Sequence, residues 1–137
     1  MSKKHKCVIY PPTLDDIHEI GEAVLARLPK RFRAAIADVP VRVEDFPDKE
    51  TEAEMELESP FDLLGLYAGV DIGHRNSLAA STGPDMIFLY RRPIMDYWCE
   101  SDENLISIVA NVLIHEIGHH LGLSDNDMDR IEKAATR

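Results

Sequence analysis

The stretch His115-Glu116-Ile117-Gly118-His119-His120-Leu121-Gly122-Leu123-Ser124-Asp125 decides the reading of this chain. It contains H-E-x-x-H followed by G-x-x-D. On a helix the side chains at 115 and 119 lie on one face, a turn apart, so two imidazoles can share one metal ion. Glu116 stands about 100° round the helix from His115 and can reach water bound to that ion. Gly122 accepts a left-handed backbone, so the helix can stop there and the chain turn back. Asp125 then arrives where a third ligand is wanted. A catalytic zinc needs three protein ligands and one open position, and His115, His119 and Asp125 supply the three. The bland alternative is an amphipathic helix with solvated histidines.

The pattern around this stretch supports a buried helix. Asp102 and Glu103 suit a first turn, with Ser101 as cap, and the helix runs to about Leu121. Ile106, Val109, Ala110, Leu113 and Ile117 fall on one face, with Leu105, Ile108 and Val112 nearer the opposite side. A helix apolar nearly all round is buried on two sides, here between a sheet and an N-terminal helix. His120 projects away from the metal pair and reads as a packed histidine rather than a ligand. Ser124 and Asp127 have capping-box-like spacing, so a last helix starts at about Asp125. Asp125 therefore has two possible jobs, metal ligand or helix N-terminal charge; the upstream histidines favour ligation. Met128 reads as core.

Upstream, Thr13 caps a helix over 14–28 whose Ile17, Ile20, Val24, Leu25 and Leu28 recur at helical spacing, and Pro29 ends it. A short second helix covers Phe32 to Asp38. Val39 to Phe46 alternates as a half-buried strand, Leu63 to Ala68 forms a second, and Met86 to Tyr90 a third. Arg91, Arg92 and Pro93 close that third strand, and proline with charge suits a sheet edge. His18 and His74 stand alone; His74 lies in a stretch, 70–84, rich in turn residues.

With 137 residues and 45% hydrophobic content, the chain reads as one domain, 1–137, with a single core. Two cysteines, Cys7 and Cys99, are too few for a disulfide framework. The basic start has no apolar run after it, and no stretch approaches a membrane span, so a cytoplasmic protein with no membrane partner is expected. The net charge is −10, and Glu44 to Glu58 carries eight acidic residues and one lysine. That run reads as a solvated connection and argues against a nucleic-acid partner, which needs a basic stripe.

H-E-x-x-H-x-x-G-x-x-D with Met128 shortly after resembles the small bacterial minimal zincin-like metallopeptidases. The resemblance extends to Leu63-Leu64-Gly65-Leu66-Tyr67-Ala68-Gly69-Val70 and to Pro84-Asp85-Met86-Ile87-Phe88-Leu89-Tyr90, and so covers the C-terminal half most firmly. It implies a compact α+β fold: a three- to four-stranded sheet against an N-terminal helix and the long H-E-x-x-H helix, with a short C-terminal helix. It implies a peptidase acting on peptide or protein through one zinc ion, with Glu116 as general base and acid; a monomer is expected. Zincin-type peptidases generally add an extended substrate to the sheet edge. That assigns substrate binding to Met86, Ile87, Phe88, Leu89 and Tyr90. His74 and Tyr90 are candidates for a further oxyanion contact.

Two rival functions stand beside this one. A metal-stabilised binding or regulatory domain of the same fold would keep the ligands and cleave nothing. A zinc-dependent ribonuclease conflicts with the presence of Glu116, with the ligand spacing and with the negative charge.

Overall fold

A computed structural model describes residues 10–69 and 85–135. His74, Cys7 and the 70–84 segment lie outside the described residues. The element order is α1 (Leu14–Ala26), α2 (Lys30–Ala35), β1 (Val41–Glu44), α3 (Lys49–Glu54), a 3-10 turn (Pro60–Asp62), β2 (Gly65–Ala68), β3 (Met86–Tyr90), α4 (Arg91–Glu100), α5 (Leu105–Leu121) and α6 (Asp125–Ala135). The result is a small α+β architecture in which α5 packs against α1, β2 and α6.

Local chemistry explains most of these boundaries. Thr13 caps α1 in a full capping box: its side chain accepts from Asp16 N, and the Asp16 carboxylate accepts from Thr13 N. Asp48 caps the first turn of α3 by accepting from Thr51 N at 2.7 Å, and hydrogen bonding by Thr51 holds its carboxyl below the usual range. No residue of α3 is buried, so the acidic run is a solvated face with one structural cap in it. Ile17, Val24 and Leu25 of α1 meet Leu113 and its neighbours on α5 in one core, with Phe32, Ile87, Leu89 and Ile94.

The sheet corrects one expectation. Strand order is β1-β3-β2, with β1 parallel and β2 antiparallel to β3. Met86–Tyr90 is therefore the central strand. Ile87 N donates to Pro40 O on one side and Tyr90 N to Leu64 O on the other, so both backbone edges are taken. Met86, Ile87, Phe88, Leu89 and Tyr90 cannot receive a peptide as an added strand. The residues that suggested an edge, Arg91, Arg92 and Pro93, lie in α4 instead. Proline in the first turn of a helix lacks only an N–H that has no partner there. Arg91 braces this start, donating to Pro12 O and pairing with Asp45.

Two further corrections concern α5. Its cap is Asn104, whose side chain accepts from Ser107 N at 2.8 Å, while Ser101 closes α4. Ile106 is 51% exposed rather than buried, at the rim of a shallow groove with Ile20, Ala23 and Val24. The face that is buried runs Ile108, Val109, Ala110, Leu113, Ile114, Ile117 and Gly118. Each large apolar side chain there contributes about 1.5–3 kcal/mol by leaving water. The helix ends as expected: Gly122 has φ 79°, and Leu123 N reaches back to Gly118 O at 2.9 Å.

Glycine also sets how closely β2 approaches α5. A Cβ at Gly65 would stand 2.4 Å from Val112 Cγ1 and 3.0 Å from Phe88 O. Neither a β-branched side chain nor a ladder carbonyl can yield cheaply. Gly65→Ala is expected to cost about 1–3 kcal/mol in denaturant unfolding. Adding Val112→Ala should recover part of that loss, and a double mutant no better than the single would place the strain elsewhere.

Candidate metal and base site

The C-terminal half of α5 carries the chemistry. His115 and His119 sit one turn apart with ring centroids separated by 6.1 Å, the two rings steeply inclined. His115 is half-buried and His119 exposed. Nδ1 of His115 lies 2.9 Å from the carbonyl oxygen of Asn111. A carbonyl can only accept, so Nδ1 is the protonated nitrogen of the neutral ring, and the lone pair is left on Nε2. Metal-ligating histidines commonly show this arrangement, the far nitrogen tied and the near one free. The histidine pair thus fits a divalent ion.

Asp125 does not join the pair in this structure. Among the described residues no three His, Cys, Asp or Glu side chains converge as a metal group. Asp125 is exposed at the first position of α6. Its placement follows from how α6 docks. Ser124 caps the helix, accepting from Asp127 N at 3.2 Å. Met128, fully buried, lies against Gly118, where a Cβ would stand 2.3 Å from its sulfur. Asp125 and Glu132 are seven residues apart and so share one face of α6. Glu132 accepts from Asn111 Nδ2 at 2.8 Å, one turn before His115. The α6 face bearing Asp125 is therefore the face turned toward the histidine side of α5.

Glu116 stands on the sheet side of the pair, close enough that both imidazoles act on its carboxyl. Its Oε1 accepts from Tyr67 N in β2 at 3.1 Å. Burial pushes its carboxyl above the usual range, against the opposing pull of the Tyr67 amide and the two histidines. Tyr67 is itself pinned twice. Its hydroxyl donates to Asp85 Oδ2 at 2.9 Å, and its ring stacks on His120 at 4.1 Å and 13°. His120 is thus packed against the strand, not gathered with the metal pair. Burial and the Asp85 carboxylate both hold the Tyr67 hydroxyl in its protonated form.

The sheet register shows which way the Tyr67 amide faces. Leu64 and Tyr90 form a hydrogen-bonded pair, so pairing alternates and Gly65 and Tyr67 direct N–H and C=O away from β3. Among the described residues no strand pairs with that outer edge of β2. Tyr90, in contrast, stacks on Phe88 on the face opposite Leu89, and burial together with the Asp48, Glu44 and Glu116 carboxylates raises the pKa of its hydroxyl. Tyr67, Asp85, Asn111 and Glu132 escaped sequence reasoning as site residues. Two of them sit in the stretches that carried the resemblance, but no spacing rule links them to Glu116.

The ionised Glu116 carboxylate has a cost in the metal-free protein, and its sign follows from the raised folded-state pKa. The native state binds this proton more tightly than the unfolded chain. Stability from that proton is present at low pH and is lost as pH rises through the folded value. Glu116→Gln, a neutral isostere that still accepts from Tyr67 N, should raise the melting temperature of metal-stripped protein by about 2–5 °C at neutral pH. The gain should shrink as pH falls into the carboxylate range; a gain independent of pH would assign it to something other than charge.

The sequence model for the zincin-like metallopeptidase family matches residues 36–135. No curated protein matches the chain.

Proposed function

The chain belongs to the zincin-like metallopeptidase family, and from that premise we propose that it is a zinc-dependent peptidase. The family implies zinc; the observation that carries the catalytic part is the arrangement on α5. His115 and His119 present one face, and the carboxylate between them in sequence is held by a strand amide within reach of the same space.

In this proposal His115 and His119 hold the ion. Asp125, on the α6 face turned toward them, completes the set when its exposed side chain is drawn in. Zinc held by these residues would supply Lewis acidity for the scissile carbonyl and for the attacking water. Glu116 takes a proton from the attacking water and returns it to the leaving amine. A carboxyl raised by burial is suited to that exchange, being a stronger base than an exposed glutamate. The extended peptide lies along the outer edge of β2, using the outward Gly65 N–H and C=O and the Tyr67 C=O. The Tyr67 N–H is already engaged. Backbone hydrogen bonds of this kind grip peptides of many sequences.

A non-catalytic binding domain of the same fold would keep the metal and leave peptides intact. A quenched peptide library, incubated with and without chelator, separates the two. Glu116→Gln is expected to retain zinc and lose activity by about 10²–10⁴-fold. His115→Ala and His119→Ala should lose the metal itself. Asp125→Ala should weaken zinc binding without unfolding the protein. Unchanged zinc affinity in that variant would remove Asp125 from the ligand set, and undiminished cleavage by Glu116→Gln would remove Glu116 from the mechanism.

No helix among the described residues is long and apolar enough to cross a membrane.

A further inference from the structure

Three contacts converge on one residue outside the H-E-x-x-H motif. Tyr67 gives its amide to Glu116, its hydroxyl to Asp85 and its ring face to His120. Its three partners come from two places in the chain: the metal helix, at 116 and 120, and Asp85 immediately before β3. An outward amide at the margin of a short strand would ordinarily meet water. Here it meets a partly buried carboxylate, and the side chain of the same residue is anchored at both its ring and its tip.

The surroundings are built to keep that anchor. A Cβ at Gly69 would stand 2.1 Å from Asp85 Oδ1 and 2.6 Å from its Cγ. Only a residue without a side chain leaves space for Asp85 to reach back to Tyr67. On the other side, His120 follows Glu116 by four residues and so stands one turn further along the same face of α5. The ring stack and the amide bond therefore join one strand residue to one helix stripe. Such a joint fixes the carboxylate in both distance and direction, which a single hydrogen bond from a mobile loop would not do.

We propose that Tyr67 is the positioning residue for the base: Asp85 and His120 lock its side chain so that its amide holds Glu116 beside the His115–His119 pair. The proposal rests on Glu116 being the base. Tyr67 acts through Glu116 and touches neither the ion nor the substrate's reacting atoms. It also gives a role to Tyr67 and Asp85, one from each of the two stretches that carry the family resemblance.

Tyr67→Phe tests it, because it deletes one hydroxyl and keeps the ring. Amide hydrogen exchange of the metal-free protein, read by NMR, gives the first arm. The residue 67 amide should be protected in the wild type. It should exchange at least about tenfold faster in Glu116→Ala and several-fold faster in Tyr67→Phe, while β3 amides stay unchanged. Asp85→Asn should fall between wild type and Tyr67→Phe. Steady-state cleavage gives the second arm: kcat should fall about tenfold in Tyr67→Phe with KM and zinc affinity unchanged. Wild-type protection at residue 67 in Tyr67→Phe would overturn the proposal, as would a loss confined to KM or to zinc affinity. If the wild type cleaves nothing, the peptidase reading fails, and the exchange arm still decides whether Tyr67 holds Glu116.

Discussion

A carboxylate set into the flank of an apolar helix has to find a donor, and in this protein it finds the amide of Tyr67. That hydrogen bond depends on several others. β2 must come close enough to α5, which Gly65 permits by leaving room for Val112. β2 must also be in the register that turns the Tyr67 amide outward, which pairing with β3 imposes. The helix must present Glu116 to β2 while leaving His115 and His119 on the adjoining, more open face. The buried stripe from Ile108 to Gly118 fixes that rotation, because every residue of the stripe has one orientation that removes it from water. Any turn of the helix that improved access to Glu116 would expose Ile114 or Ile117, each fully buried. The core therefore sets the geometry of the polar site.

Much of this was legible because it is local. Helical spacing marks α1 and α5, a capping residue marks the start of α6, and Gly122 marks the turn between α5 and α6. What failed was not local. The order of strands in a sheet is set by crossovers, and Pro93 is equally compatible with a strand end and a helix first turn. The run Met86-Ile87-Phe88-Leu89-Tyr90 did hold a usable signal. It is continuously apolar, as a strand covered on both faces is, and an outer strand more often alternates. The cap of α5 failed for a simpler reason. Ser101 and Asn104 are both good caps, and only the packing of α4 decides that the first of them ends a helix. As for the site, His115, Glu116 and His119 were visible as a motif. Tyr67 lies 49 residues from Glu116 and 18 from Asp85, and no periodicity connects such positions.

The acidic content has a similar division between what composition tells and what it hides. The run from Glu44 to Glu58 accounts for most of the net charge, yet α3 within it buries nothing. Its carboxylates are solvated and screened, apart from Asp48 at the cap and from Glu44 and Asp45, which pair with Arg42 and Arg91. The carboxylates at the site, Asp85 just before β3, Glu116 on α5 and Glu132 on α6, each accept a specific hydrogen bond. Count and location are separate quantities here, and only the second bears on chemistry.

Asp125 shows how the two ends of the site differ in stiffness. Glu116 is held between a helix and a strand that share the main core. Asp125 is carried by α6, which rests on α5 mainly through Met128 seated against Gly118, with Glu132 bonded to Asn111 further along. A thioether is the most adaptable of the apolar side chains, so this seat tolerates small shifts of the helix that a β-branched contact would resist. An exposed carboxylate in the first turn also moves at little cost, since water already satisfies it. His115, His119 and Glu116 are thus preset by packing, and Asp125, the third ligand of the proposed site, stands on a helix with a more adaptable seat. A site arranged this way carries only part of its repulsive charge in the metal-free state. In the proposed site, bringing a second carboxylate in is deferred until there is a cation to meet it, which spares the apolar wall of α5 another buried negative charge.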